Sequence, residues 1–336
     1  MVVVESYLLA VFLCFVTMLC WGSWANTQKL ASKEWRFQLF YWDYAIGVFL
    51  LTLGLALTLG SMGMVGRGFM ADLRQATGYA LGSAFLGGVI FNLSNILLVA
   101  AIDIAGMSVA FPIGVGLALV IGVVTNYIAT PVGNPVLLFL GVAGVVLAIL
   151  MSAMAYKRLP SQGQRTTGKG IVISVIAGLL MGYFYRFVAA SIATMAADGT
   201  LEAGRLSPYT ALVSFSAGLL LSNFVCNSLI MARPIVGDPV PFGDYFTKGN
   251  SRLHLIGILG GVIWSIGMSL SILASSAAGF AISYGLGQGA TMIAAFWGVF
   301  IWKEFKGAPV GTSRLLSLMF LSFVVGLGLI VVARIV

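Results

Sequence analysis

Ten apolar stretches follow one another along the chain, each close to the ~20 residues a helix needs to cross a hydrocarbon core. They run roughly Tyr7–Leu30, Leu39–Gly60, Gly78–Ala101, Gly106–Ala129, Val136–Tyr156, Gly170–Thr194, Tyr209–Met231, Leu253–Ala274, Gly279–Trp302 and Leu315–Ala333. Polar positions gather in the short connectors. The longest of these, Ala232–Arg252, holds Pro234, Pro239 and Pro241 and reads as a loop, not a domain. A barrel would alternate polar and apolar positions in ~10-residue segments, and this chain does not. The pattern predicts an all-α polytopic membrane protein of ten transmembrane helices. The first stretch reads as a span and not a secretory signal: no Lys or Arg precedes Lys29, and the run exceeds a signal core.

Composition agrees. Of 336 residues 60% are hydrophobic and 8% charged, against ~45–50% and ~25% in soluble domains. So few charges cannot cover a water-facing surface, which excludes a soluble globular protein and a disordered chain. The net charge of +8 lies in connectors, so membrane topology accounts for it and no nucleic acid is expected as a partner. Odd-numbered connectors hold Lys29, Lys33, Arg36, Lys157, Arg158, Arg165, Lys169, Arg233, Lys248, Arg252, Lys303, Lys306 and Arg314. Even ones and the tails hold Arg67, Arg74, Arg205 and Arg334. The positive-inside rule then puts the odd connectors in the cytoplasm and both termini outside, in a plasma (cytoplasmic or inner) membrane. Cys14, Cys20 and Cys226 lie in apolar runs without metal-ligand or disulfide-framework spacing, and read as small helix residues.

The chain also repeats itself. Leu86-Gly87-Gly88-Val89-Ile90 recurs 173 positions later as Leu259-Gly260-Gly261-Val262-Ile263. The same offset carries Gly106 to Gly279, Phe111 to Tyr284, Gly114 to Gly287 and Gly116 to Gly289. Gly22 aligns separately with Gly182. Two halves of five helices, 1–160 and 161–336, are predicted within one integral membrane domain. An odd number of spans per half inverts the second copy, a plan that puts a transporter's site near the midplane. Gly285-Leu286-Gly287-Gln288-Gly289 and Phe111-Pro112 are the matched weak points expected to flank that site.

At these residues the chain resembles the drug/metabolite transporter superfamily. Trp21-Gly22-Ser23 and the stretch Ala101–Leu117 resemble the glucose/ribose porters. The ten-helix plan and Leu259–Trp264 are similar to the rhamnose–proton symporter. Asp43 in Tyr41-Trp42-Asp43-Tyr44 and the Asn92–Asn95 region resemble plant ureide permeases. The resemblance implies proton-coupled uptake of a small neutral solute, a sugar first, with ureides, nucleobases or nucleosides as the alternative. A metabolite or drug exporter is a further alternative. Trp24–Lys29 and the connector between the sixth and seventh helices match no sugar-porter pattern.

A neutral solute needs hydrogen-bonding amides and an aromatic wall. Trp21, Trp24, Asn92, Asn95, Phe111, Trp264, Tyr284 and Gln288 are the expected substrate residues, with Asn223 as a possible addition. Asn92 and Asn95, three apart, are read as sharing a helix face. Their alternative role is to glue helices together. Trp42 and Trp302, at span ends, read as interfacial belt residues. Ionisable groups inside spans are costly and draw attention. Arg186, read as deep in the sixth helix, is expected to be a substrate or gating ligand, or else to snorkel. Asp43 is expected to couple ions, with Lys29 as a partner; an anchoring role is the alternative. Asp103 is placed in a short connector, as a second coupling candidate or a solvated loop residue. His254 reads as a neutral interfacial side chain more than a proton relay.

Ten acids, mostly in loops, and one His make no acid–base or metal constellation, so the chain is not expected to be an enzyme or to hold a metal or cofactor. It has no phosphate-binding Gly-Lys-Ser/Thr loop and no polar stripe along a span. A secondary transporter working as a monomer or weak dimer is the expectation, its partners a small solute, protons and the bilayer.

Overall fold

A computed structural model describes residues 1–31, 34–63, 65–159, 168–196 and 198–336. The expected boundary between halves at 160/161, and Lys33 and Arg165 of the charge pattern, lie outside the described residues. Among the described residues the chain is nearly all helix. Ten helices are long and apolar enough to cross a membrane: α1 (Tyr7–Ala31), α2 (Phe37–Leu57), α3 (Gly78–Ala105), α4 (Val109–Ala129), α5 (Pro135–Lys157), α6 (Gly168–Ser191), α7 (Pro208–Ala232), α8 (Ser251–Ala278), α9 (Phe280–Ile301) and α10 (Thr312–Val332). Extended pairing among these residues is confined to two isolated bridges, Ile192 with Leu206 and Met195 with Leu201.

Small polar residues start several of these helices. The side chains of Thr77, Ser207 and Asn250 accept hydrogen bonds from the N–H groups of Ala80, Thr210 and Leu253, satisfying donors that the first turn leaves free. The two expected weak points differ. α9 breaks at Gln288–Gly289, resumes over Ala290–Phe296 and ends in a π-type turn, Trp297–Ile301. α4 runs unbroken through Pro112. Three glycines in five residues remove helix preference repeatedly, whereas one proline early in a helix removes one hydrogen bond, which packing tolerates.

Close glycine contacts set the packing. α3 lies on α6 and α7, and α8 lies on α1 and α2; α4 packs on α6, and the Ala290–Phe296 part of α9 packs on α1. α5 pairs with α10, α2 with α7 and α4 with α9. At Gly88 an added Cβ would strike the backbone of Phe215 and Leu219; at Gly261 it would strike that of Tyr44 and Val48. Gly218 abuts the Phe85 carbonyl and Gly47 the Ile258 carbonyl, while Gly141 and Gly326 face each other's carbonyls. With no hydrophobic drive between helices in lipid, such close approach is the main source of association. The α3–α4 and α8–α9 corners turn on Gly106 (φ 78°, ψ 158°) and Gly279 (φ 84°, ψ 152°), a conformation that L side chains rarely adopt.

Candidate functional site

A cavity of about 360 Å³ lies among α1, α3, α4, α6, α8 and α9. Its deep end is aromatic. Trp264 sits 4.4 Å from Phe91 and 6.0 Å from Trp21 between ring centroids, stacked with Trp21 at 15°. Phe184 and Phe111 extend the wall. Trp21 Nε1 donates to the Trp264 carbonyl at 3.2 Å, which fixes the stack. Polar groups are few: Asn95, Gln28, Gln288 and Thr291, with Asp103 at the mouth. Asn95 Nδ2 donates to the Tyr41 hydroxyl at 3.3 Å, leaving its amide oxygen for another partner. Gln28 and Asp103 lie in the last turns of α1 and α3, and Met107 stands just before α4, so the cavity opens on the face carrying the odd connectors. An apolar pocket with a few convergent polar groups is the usual form of a small-molecule site.

The structure thus gathers Trp21, Trp24, Asn95, Phe111, Trp264, Gln288 and Asp103 around one cavity. Asp103 stands in the last turn of α3, not in a connector. Asn92, Tyr284 and Arg186 do not line it. Asn92 is fully buried against α7, donating to Ser222 Oγ at 2.8 Å, because ~60° of helix rotation separates it from Asn95. Asn223 is also buried, its Nδ2 directed at the Tyr41 carbonyl at 3.5 Å. Tyr284 is buried, with its hydroxyl near the carbonyls of Met181 (3.1 Å) and Ala118 (3.3 Å). Arg186 lies half-buried five residues before the end of α6. Sequence reading missed Gln28, Thr291, Phe91 and Phe184. Gln28 could have been found, four residues after Trp24 and seven after Trp21 on one helical face.

Asp43 lies outside the cavity in a separate cluster. Its side chain is 2% exposed. The Tyr245 hydroxyl donates to Oδ1 at 2.5 Å, and His254 Nδ1 lies 3.0 Å from both carboxylate oxygens. Tyr245 belongs to a short helix, Asp244–Thr247, in the α7–α8 connector; burial, then Asp43, holds its phenol above the ordinary value, so it stays a donor. Trp35 packs edge-on against His254 at 5.3 Å. The expected Lys29–Asp43 pair is not formed. Lys29 meets Glu304 at 2.7 Å and lies 4.2 Å over the Trp302 ring. Of the two Trp residues at span ends, Trp302 donates to Asn26 Oδ1 at 2.7 Å, and Trp42 is buried with Nε1 on Met231 Sδ. The cluster reaches the cavity walls through neighbours of Asp43, since Tyr44 packs on Trp24 (5.0 Å) and Trp264 (6.3 Å).

On the opposite face two connectors are tied together. Arg67 Nε donates to the fully buried Asp72 at 2.9 Å, and the other nitrogens of Arg67 reach the carbonyls of Leu201, Glu202 and Arg205 at 2.8–3.0 Å. Gln75 donates to the Arg205 carbonyl (2.8 Å) and accepts from Gly204 N–H (2.6 Å); Ser207 N–H donates to Asp72 Oδ2 at 2.7 Å. The α2–α3 and α6–α7 connectors are thereby tied by charge-assisted bonds.

The sequence profile of the family Ureide permease matches residues 40–166 and 157–333. Ureide permease 1 of Arabidopsis thaliana is 24% identical over 387 aligned residues, covering 98% of each chain. Ureide permease 4 of the same plant is 24% identical over 400, again covering 98% of each. A protein of known crystal structure shares the fold at TM-score 0.57 and 16% identity, with 97% of each chain covered. With ten apolar helices among its described residues and a family match spanning most of its length, this chain is an integral membrane permease belonging to the ureide permease family.

Proposed function

We propose that this permease carries a small, neutral, planar solute bearing a urea-type edge, a ureide or a related oxo-heterocycle, by proton symport with alternating access. The cavity carries this reading. Its stacked Trp21–Trp264 wall suits a flat face, and Asn95, Gln28 and Gln288 offer amides that both give and take hydrogen bonds, as a urea edge requires. The names of the relatives favour this alternative over the sugar reading. The cavity is complete within one chain, so a monomer suffices.

Alternating access rests on a two-half plan, five helices each, with the break between 160 and 161. Replacing each helix by the one five positions on leaves the main packing partners unchanged: α3–α7 becomes α8–α2, α3–α6 becomes α8–α1, and α5–α10 returns to itself. The paired glycine contacts and the Gly106 and Gly279 corners follow the same exchange. Such repeats rock against each other around a fixed site. In the topology proposed here the odd connectors are cytoplasmic, so the cavity opens inward and the Asp72 clasp closes the outside.

Two outcomes are expected. Asn95→Ala raises the KM for substrate roughly 5- to 150-fold, the effect of about 1–3 kcal/mol for a lost hydrogen bond. Asn92→Ala leaves KM within about twofold and lowers stability instead. Radiolabelled uptake with membrane abundance measured in parallel checks both; equal KM values for the two mutants would remove Asn95 from the site. For the clasp, a Thr291→Cys reporter is expected to react with an impermeant maleimide from the odd-connector face and not the other. Adding Asp72→Asn makes labelling from the terminal face at least about tenfold faster, because one partner of a buried charged pair is lost. Unchanged labelling would mean that the clasp does not gate.

A further inference from the structure

Asp43 is buried, yet a coupling carboxylate must exchange protons with water, and the structure contains one route by which it can. His254 Nδ1 stands 3.0 Å from both Asp43 oxygens, within reach of one shared N–H. The ring is 28% exposed at its side chain, whereas Asp43 is 2% exposed. Its other nitrogen, Nε2, packs beside Gly249 and has no hydrogen-bond partner among the described residues. The ring is held in place by Tyr245 (4.7 Å) and Trp35 (5.3 Å). Asp43 is faced by Tyr245 from the short helix and His254 from α8, with Gly257 against its Cβ. The charges on the surrounding surface are paired with each other: Lys248 with Asp244 at 2.7 Å and Arg252 with Glu34 at 3.8 Å.

We propose that His254 is the proton relay of this permease, passing protons between water at the odd-connector face and the Asp43 carboxylate. This rests on the proton-symport reading above. The relay starts from an Asp43 carboxylate and an imidazole whose Nδ1 N–H faces it. Water's hydronium gives a proton to Nε2, and the Nδ1 proton moves to an Asp43 oxygen. The ring ends neutral and protonated on Nε2, Asp43 ends neutral, and release runs the same two transfers backwards. An imidazole does this near neutral pH, and an amide cannot. The Tyr245 hydroxyl donates to Oδ1 and orients the carboxylate; it is not on the path. Gly257 leaves the space in which Asp43 meets the ring, since a Cβ there would strike Asp43.

His254 is the sole histidine of the chain, which makes the test clean. Proton-driven uptake, substrate counterflow and the pH profile of uptake are measured on the full chain in proteoliposomes, using allantoin as the probe. His254→Gln is expected to slow proton-driven uptake at least tenfold, to flatten its pH profile, and to leave counterflow within twofold. Diethylpyrocarbonate on the wild type gives the same signature, reversed by hydroxylamine and absent from His254→Gln; this arm needs no variant to fold. Unchanged uptake and pH profile, or equal loss of uptake and counterflow in both arms, overturns the relay. Asp43→Asn separates the layers. If it accumulates substrate normally, proton coupling at Asp43 fails; if it does not, while His254→Gln behaves as wild type, the relay alone fails.

Discussion

Asp43→Asn is expected to abolish accumulation of substrate against its gradient while sparing counterflow. A coupled ion moves the equilibrium only by binding two conformations differently, and this needs a group that takes up a proton in one state and releases it in the other. Asp43 is a buried acid with two directed donors, Tyr245 and His254, from elements that do not belong to its own helix. Asn keeps the shape and one acceptor but cannot ionise. It mimics the protonated carboxylate and should lock the carrier into its proton-loaded exchange cycle. Paired uptake and counterflow on one reconstituted sample check this. Wild-type accumulation in the mutant would reduce Asp43 to an anchor for the Asp244–Thr247 helix.

Trp264→Ala is expected to eliminate measurable transport, and Trp264→Phe to retain it within a few-fold. The indole is 5% exposed and contacts Phe91, Phe215 and Trp21, so removing it opens a void beneath the cavity as well as deleting the stacking face. Truncating a buried aromatic to Ala costs about 3–5 kcal/mol, part of it from that void. Phe restores most of the area and the face. Substrate-induced change in intrinsic fluorescence should persist in Trp264→Phe and vanish in Trp264→Ala. Equal transport by the two variants would place the substrate elsewhere.

The spans were legible because every turn of each helix is apolar, and connector charges stand out against that background. Several of the residues themselves were legible too: Trp21, Asn95, Trp264 and Gln288 were expected as substrate residues and line one cavity. What could not be read was which way a side chain points. A helix apolar on all sides carries no moment to tell its lipid face from its packed face. Asn92 and Asn95 therefore read as one pair, although one faces α7 and the other the cavity. Ion pairing across distant spans was hidden for a related reason. Asp43 and His254 are 211 residues apart, and proximity in sequence suggested Lys29 in its place. The break in α9 was announced by its glycines, whereas Pro112 in α4 was a false signal, since one absent N–H does not end a membrane helix.

The aromatic, amide-walled cavity is proposed to carry a neutral urea-edged solute driven by protons. The most direct test of this is uptake by purified protein in proteoliposomes, with and without an inward pH gradient, across allantoin, uracil, glucose, ribose and rhamnose. Saturable uptake of allantoin or uracil is expected, stimulated by the gradient and collapsed by a protonophore, with the sugars at background. Uptake of a sugar with none of either heterocycle, or heterocycle uptake indifferent to the gradient, would contradict it.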